Sequence, residues 1–134
     1  MRYLLDTNAC IGFMTGRAPG VLERLKALSP SDIAVCSVVK AELFYGAERT
    51  TDPTKTLAGQ RAFLDRFASL SFDDRAAEAA GSIRAKLASL GAPIGPYDLQ
   101  IAAIALVNGL TIVTRNTREF ERVEGLSIED WEQA

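Results

Sequence analysis

Tyr3-Leu4-Leu5-Asp6-Thr7-Asn8 decides how the rest of the chain is read. Tyr3-Leu4-Leu5 is a short apolar run of the kind shown by a strand buried on both faces. Asp6 follows at once. A carboxylate in the middle of a dry sheet is costly, so Asp6 belongs at the strand's C-terminal end, where the chain leaves the sheet. In open α/β sheets ligands bind beyond that edge. Thr7 and Asn8 are short polar side chains suited to capping a helix or holding a water. This stretch alone leaves Asp6 open to two readings, a helix N-cap or a functional carboxylate.

Working outward, apolar runs alternate with helical periodicities. Residues 8–13 read as a short helix, 16–20 as a turn, and 19–28 as a helix opened by Pro19. Residues 33–36 form a second buried strand. Ser37 is placed to cap a helix over 38–49 that carries Glu42 in its second turn. Residues 50–54 are the most loop-like stretch, followed by a helix over 56–68 and a short strand over 70–72. Asp73 or Asp74 opens a long helix to residue 90, with Ala76, Ala80, Ile83, Leu87 and Leu90 as a stripe and Gly91 just past its end. Residues 94–98 turn into a helix over 99–108 that is apolar nearly all round and therefore central. Residues 110–114 form the next clear strand. Residues 115–120 leave it as a loop or short helical turn, 126–128 form a last strand, and Trp131 packs near the end. Alternating strands and helices predict an α/β class chain, a three-layer α/β/α domain with a mostly parallel central sheet, one domain over residues 1–134.

Composition narrows the chemistry. The chain has 134 residues, 48% hydrophobic and 24% charged, as an ordinary folded domain has. No apolar run approaches the roughly 20 residues of a membrane span. The early aspartate interrupts any signal-peptide core, so a cytoplasmic location is expected. Cys10 and Cys36 form no C-x-x-C pair and read as reduced, small hydrophobes. There are no histidines. Nucleophile systems built on a histidine base, paired-histidine RNA cleavage and histidine metal sites are thereby excluded. A net charge of -2 gives no global attraction for a polyanion.

What remains is oxygen. Asp6 ends the first strand, Glu42 follows the second, Asp98 opens the buried helix, and Asn116 and Glu119 follow the next strand. All five can share one sheet edge, the kind of constellation an oxygen-only Mg²⁺ site needs. Two carboxylates about 5 Å apart repel by roughly 3 kcal/mol at an effective dielectric near 20, so such a group settles by protonation or by binding a cation. Singly, Glu42 also reads as a solvated helix residue and Asp98 as a cap.

Leu4-Leu5-Asp6-Thr7-Asn8, Ala41-Glu42-Leu43 with Tyr45-Gly46-Ala47, Ile94-Gly95-Pro96-Tyr97-Asp98 with Ile101-Ala102, and the run from Val113 to Val123 with Gly125-Leu126 together resemble the PIN-domain ribonucleases. More narrowly, they resemble the VapC-type toxins of VapBC toxin–antitoxin systems. The last stretch and Glu129-Asp130-Trp131 look like the enterobacterial type that cuts initiator tRNA. The resemblance implies a Mg²⁺- or Mn²⁺-dependent endoribonuclease whose acidic site is Asp6, Glu42 and Asp98, with Asn116 or Glu119 completing it. Asp6, Asp98 and Glu42 would hold the metal. Hydrolysis of an RNA phosphodiester, tRNA in the first place, would leave a 5′-phosphate and a 3′-hydroxyl. It further implies a homodimer, a larger toxin–antitoxin assembly and a VapB-type antitoxin whose C-terminal segment enters the active-site groove.

Thr7, Asn8 and Thr114 are candidates to orient water or a carboxylate, and Thr114 equally for a hydroxyl satisfied within the fold. Arg115, Arg118 and Arg122 are candidates for RNA phosphates, or for ion pairs with Glu119, Glu121 or the antitoxin; a helix would put Arg118 and Arg122 on one face. Phe13, Met14 and Phe44 are candidates for a dimer or antitoxin interface, or for core. The alternative to an enzyme is a non-catalytic PIN-like scaffold that binds RNA or antitoxin. A phosphatase with Asp6 as nucleophile ranks low, because Asn8 stands where its second acid belongs.

Overall fold

A computed structural model describes residues 1–132 of the chain. Five parallel strands, β1 (Tyr3–Leu5), β2 (Ile33–Cys36), β3 (Ala68–Leu70), β4 (Thr111–Val113) and β5 (Ser127–Glu129), lie in the order β3-β2-β1-β4-β5. The helices are α1 (Thr7–Thr15), α2 (Pro19–Ala27), α3 (Ser37–Glu48), α4 (Pro53–Leu64), α5 (Asp74–Ser89), α6 (Pro96–Val107) and α7 (Thr117–Phe120). Leu4 and Leu5 are both wholly inaccessible, and so are Ala34 and Val35. Successive strand residues point to opposite faces, so helices cover the sheet on both sides, as the three-layer expectation requires.

The order has one physical consequence for the site. From β1 the chain works outward through β2 to β3, then returns to lay β4 on the other side of β1. The reversal opens a crevice at the carboxyl ends of β1 and β4, where open α/β sheets bind ligands. Leu5 and Val113 are direct partners there. The ladder runs on through the Asp6 amide, which donates to the Val113 carbonyl at 3.1 Å. Asp6 and Thr114 thus leave adjacent strands side by side.

α6 carries five consecutive buried residues, Ile101 to Ala105, and packs chiefly on α5, as its all-round apolarity predicts. Gly91 follows α5 with a φ of 67°, and the Ala92 amide donates to the Leu87 carbonyl at 2.9 Å, the left-handed ending that favours glycine. At the far end of the chain, the Glu132 carboxylate accepts from the first-turn amides of Gly20 and Val21 on α2. Trp131 sits edge-on to Tyr3, and Arg24 lies over its ring and pairs with Glu129. A side chain at Gly20 would meet the Trp131 carbonyl at 2.0 Å.

Several boundaries differ from expectation. The third strand begins at Ala68, two residues early, because α4 starts at Pro53 and is capped by Asp52, whose side chain accepts from Lys55. Cys36, not Ser37, is the N-cap of α3, with no side-chain capping bond. Leu90 is exposed, since α5 ends one residue before it. α7 stops at Phe120, so Arg118 and Arg122 do not share a helix face. Phe13, Met14 and Phe44 are half-buried against the core, Phe13 stacked on Phe63 at 4.7 Å, which leaves little of them as a free surface.

Candidate active site

Asp6 caps a helix, as one of its two readings had it. It is the N-cap of α1, its Oδ1 accepting from the Ala9 amide at 2.7 Å. It is also only 4% exposed, at the mouth of the crevice. Burial pushes its carboxyl from 3.8 up to about 6, with the Glu42 charge adding to the rise. Hydrogen bonds from the Thr114 hydroxyl and the Ala9 and Asn8 amides oppose it.

Glu42 comes in from the second turn of α3. The Thr7 hydroxyl donates to its Oε1 at 2.8 Å, which ties α3 to the first turn of α1. Glu42 is therefore turned into the crevice, not out into solvent. Asp98 stands in the first turn of α6, whose N-cap is Gly95, so it does not cap that helix. Burial first, then Glu119, Asp6 and Glu42, raise Asp98 to about 7. That all three other acids press on one carboxyl is the electrostatic mark of a shared pocket.

Glu119 ends up as the ionised partner. Its Oε1 accepts from the Gly95 amide at 2.6 Å and its Oε2 from Asn116 Nδ2 at 2.6 Å. Those bonds, the proton held on Asp98 and the nearby Arg122 keep it below the usual glutamate range, against a smaller opposing effect of burial. Asn116 reaches Asp98 as well, at 3.5 Å. The amide thus orients two acids and adds no charge of its own. Thr114, buried, serves from the end of β4: its hydroxyl donates to Asp6 and its oxygen accepts from the Asn116 amide. Asn8 is exposed and lines a neighbouring cleft with Arg17, Arg115 and Asn116.

The acids share a pocket without closing on a point: among the described residues, no three carboxylate or thiol groups converge to ligate one ion directly. The arrangement fits a cation that keeps much of its water and takes one or two carboxylates, as Mg²⁺ does. Among the described residues neither Asp6 nor Asp98 forms an ion pair with an arginine or lysine.

Arg115 and Arg118 are exposed and, among the described residues, pair with no acid, so of their two readings the ion pair with Glu119 or Glu121 does not form. Arg122 donates to the Pro93 carbonyl at 2.8 Å and remains near Glu119. Sequence reasoning missed three groups at the rim. Arg17 joins Arg115 from the turn after α1, far away in sequence. Tyr45 and Tyr97 stand 65% and 57% exposed on either side of a cleft that reaches Glu42. An aromatic one residue before Asp98 was the available signal for Tyr97.

No described helix is long and apolar enough to cross a membrane. A PIN-domain family model matches residues 3–126. The chain is 45% identical over 131 residues to a protein of Shigella flexneri named tRNA(fMet)-specific endonuclease VapC, with 98% of each chain covered. It is 43% identical, at the same coverage, to one of that name from Salmonella typhimurium. A crystal structure of DNA-bound VapBC from Salmonella typhimurium contains a chain that superposes with a TM-score of 0.92 at 41% identity, again with 98% of each chain covered.

Proposed function

Because the chain belongs to the PIN-domain family, and within it to the VapC group, we propose that it is a divalent-cation-dependent endoribonuclease toxin of a type II toxin–antitoxin system. Its substrate class is tRNA, the initiator tRNA anticodon loop being the first target to try, and its effect is to stop translation. The observation that carries this reading is the gathering of acids at one edge: Thr7 ties Glu42 to the helix that Asp6 caps, and Asn116 bridges Glu119 and Asp98. A binding scaffold has no use for that concentration of charge, which costs stability unless a cation or a proton relieves it.

Asp6 and Asp98 would hold the cation, and Glu42 and Glu119 would complete the ring of negative charge around it. When bound, the cation supplies neutralisation of the phosphate and an acidified water. Thr7 fixes the rotamer of Glu42 and Thr114 that of Asp6. Asn116 is a positioning residue for Glu119, so Glu119 is the fourth acid. Asn8 holds a water at the edge of the site. Arg115, Arg118 and Arg122 meet RNA phosphates, which fix the strand without reading its sequence. Attack in line at phosphorus requires neither histidine nor a 2′-hydroxyl, and leaves a 5′-phosphate and a 3′-hydroxyl. The chain acts as a single PIN domain in the cytoplasm, as a homodimer held silent by a VapB-type antitoxin in a larger assembly. Relatives solved as VapBC complexes support that partner.

The test is direct. Protein freed of any partner is incubated with total tRNA and Mg²⁺ or Mn²⁺, beside Asp6→Ala and Asp98→Asn. Discrete fragments from wild type alone are expected. RNA binding without turnover in any metal would favour the scaffold and overturn the assignment.

A further inference from the structure

The cleft between α3 and α6 has no role in the chemistry above. It encloses about 580 Å³, within the roughly 300–1,000 Å³ of small-ligand sites. Tyr45 and Tyr97 form its two aromatic walls, both more than half exposed. Ser37 and Gln100 bring a hydroxyl and a side-chain amide to the same lining. Glu42 belongs to the cleft and to the acidic pocket at once, so an occupant lies next to the reactive edge. The Arg49 guanidinium lies 5.6 Å from the Tyr45 ring centroid, a positive charge beside one wall.

We infer that this cleft receives an unpaired nucleobase of the RNA, one that flanks the phosphodiester to be cut. The inference deepens the ribonuclease reading and rests on it. Exposed aromatic faces are costly to leave in water, and RNA-binding proteins use them to stack splayed bases. The hydroxyl and the amide can each donate to or accept from a base edge, which supplies a preference among bases that stacking alone does not. Arg49 is placed to meet the phosphate of the same nucleotide. Charge sets the orientation: the acidic pocket repels a phosphate unless a cation is bound there, whereas the two tyrosine faces offer an uncharged surface to a neutral base.

The probe is an RNA hairpin with 2-aminopurine placed in turn at each loop position. It is titrated into Asp6→Asn protein so that cutting does not interfere. One loop position is expected to show strong stacking quench. Tyr97→Ala should weaken binding about five- to a hundred-fold and abolish the quench, Tyr97→Phe should preserve both, and Tyr45→Ala should act in the same direction. Removing the base at that position should cost wild type the same factor and cost Tyr97→Ala nothing further. Equal binding by Tyr97→Ala and wild type, while wild type still cuts tRNA, overturns the cleft and leaves the ribonuclease reading standing. If tyrosine loss lowers the sedimentation mass and the binding together, the face is a contact between copies of the chain and the inference falls. If wild type neither binds nor cuts RNA, both fall.

Discussion

Asp6→Asn is expected to make the metal-free protein more stable at neutral pH. Asparagine caps a helix about as well as aspartate, so the bond from the Ala9 amide survives. What is lost is a buried charge. The carboxyl of Asp6 rises from 3.8 to about 6 on folding, chiefly through burial. At 1.36 kcal/mol per tenfold in proton affinity, that rise corresponds to about 3 kcal/mol. The sign follows from proton counting. Between the two values the folded protein holds a proton that the unfolded chain has released, so stability falls as pH rises through this window and levels off above about 6. The stability difference between variant and wild type should therefore widen by about 2 kcal/mol from pH 4.5 to pH 8. For a domain of this size the widening is about 7 °C in Tm. Urea and thermal unfolding in EDTA across that range provide the measurement. Adding Mg²⁺ should then stabilise wild type far more than the variant, by about 2.7 kcal/mol at a hundred times the dissociation constant. A difference that stays flat from pH 4.5 to 8, or a variant less stable throughout, would refute the claim that Asp6 is held against its charge.

Three other outcomes follow from the same geometry. Thr114→Val leaves the part-buried Asn116 amide without its acceptor and Asp6 without one of its donors; it should cost about 1–3 kcal/mol and most of the activity, and Thr114→Ser should restore both in unfolding and cleavage assays. Gly20→Ala drives a methyl into the Trp131 carbonyl and should cost about 1–3 kcal/mol by urea unfolding, whereas Gly59→Ala, in open space on α4, should gain up to about 1 kcal/mol. Arg115→Ala should weaken RNA binding evenly across sequences and lower the salt dependence by about one ion, measured as the slope of log affinity against log salt.

Most of the fold was legible because its signals are local. Tyr3-Leu4-Leu5 and Ile33 to Cys36 are too apolar for anything but buried strands, and α6 is too apolar for anything but the centre. The β3 boundary was not, because Ala68 and Ser69 are small, exposed and without periodicity at an edge. The acids were legible from their positions after strands and from the missing histidines. Their hydrogen bonds were not: that Thr7 serves Glu42, or that Asn116 serves Glu119, depends on rotamers and on helices meeting across the crevice. The fate of Arg118 and Arg122 turned on where a four-residue helix stops, a matter of one turn.

The ladder between β1 and β4 divides the acids into two mechanical classes. Asp6 and its donor Thr114 are pinned by sheet bonds and cannot separate unless strands part. Glu42 and Asp98 ride on α3 and α6, and their side chains reach the rest of the pocket through Thr7 and Asn116. A macromolecule that bears on those two side chains can therefore reshape the pocket by turning rotamers, while one that grips the sheet's rim leaves its fixed half untouched. Control of this protein by a bound partner should accordingly register as a shift of Glu42 and Asp98 against an immobile Asp6.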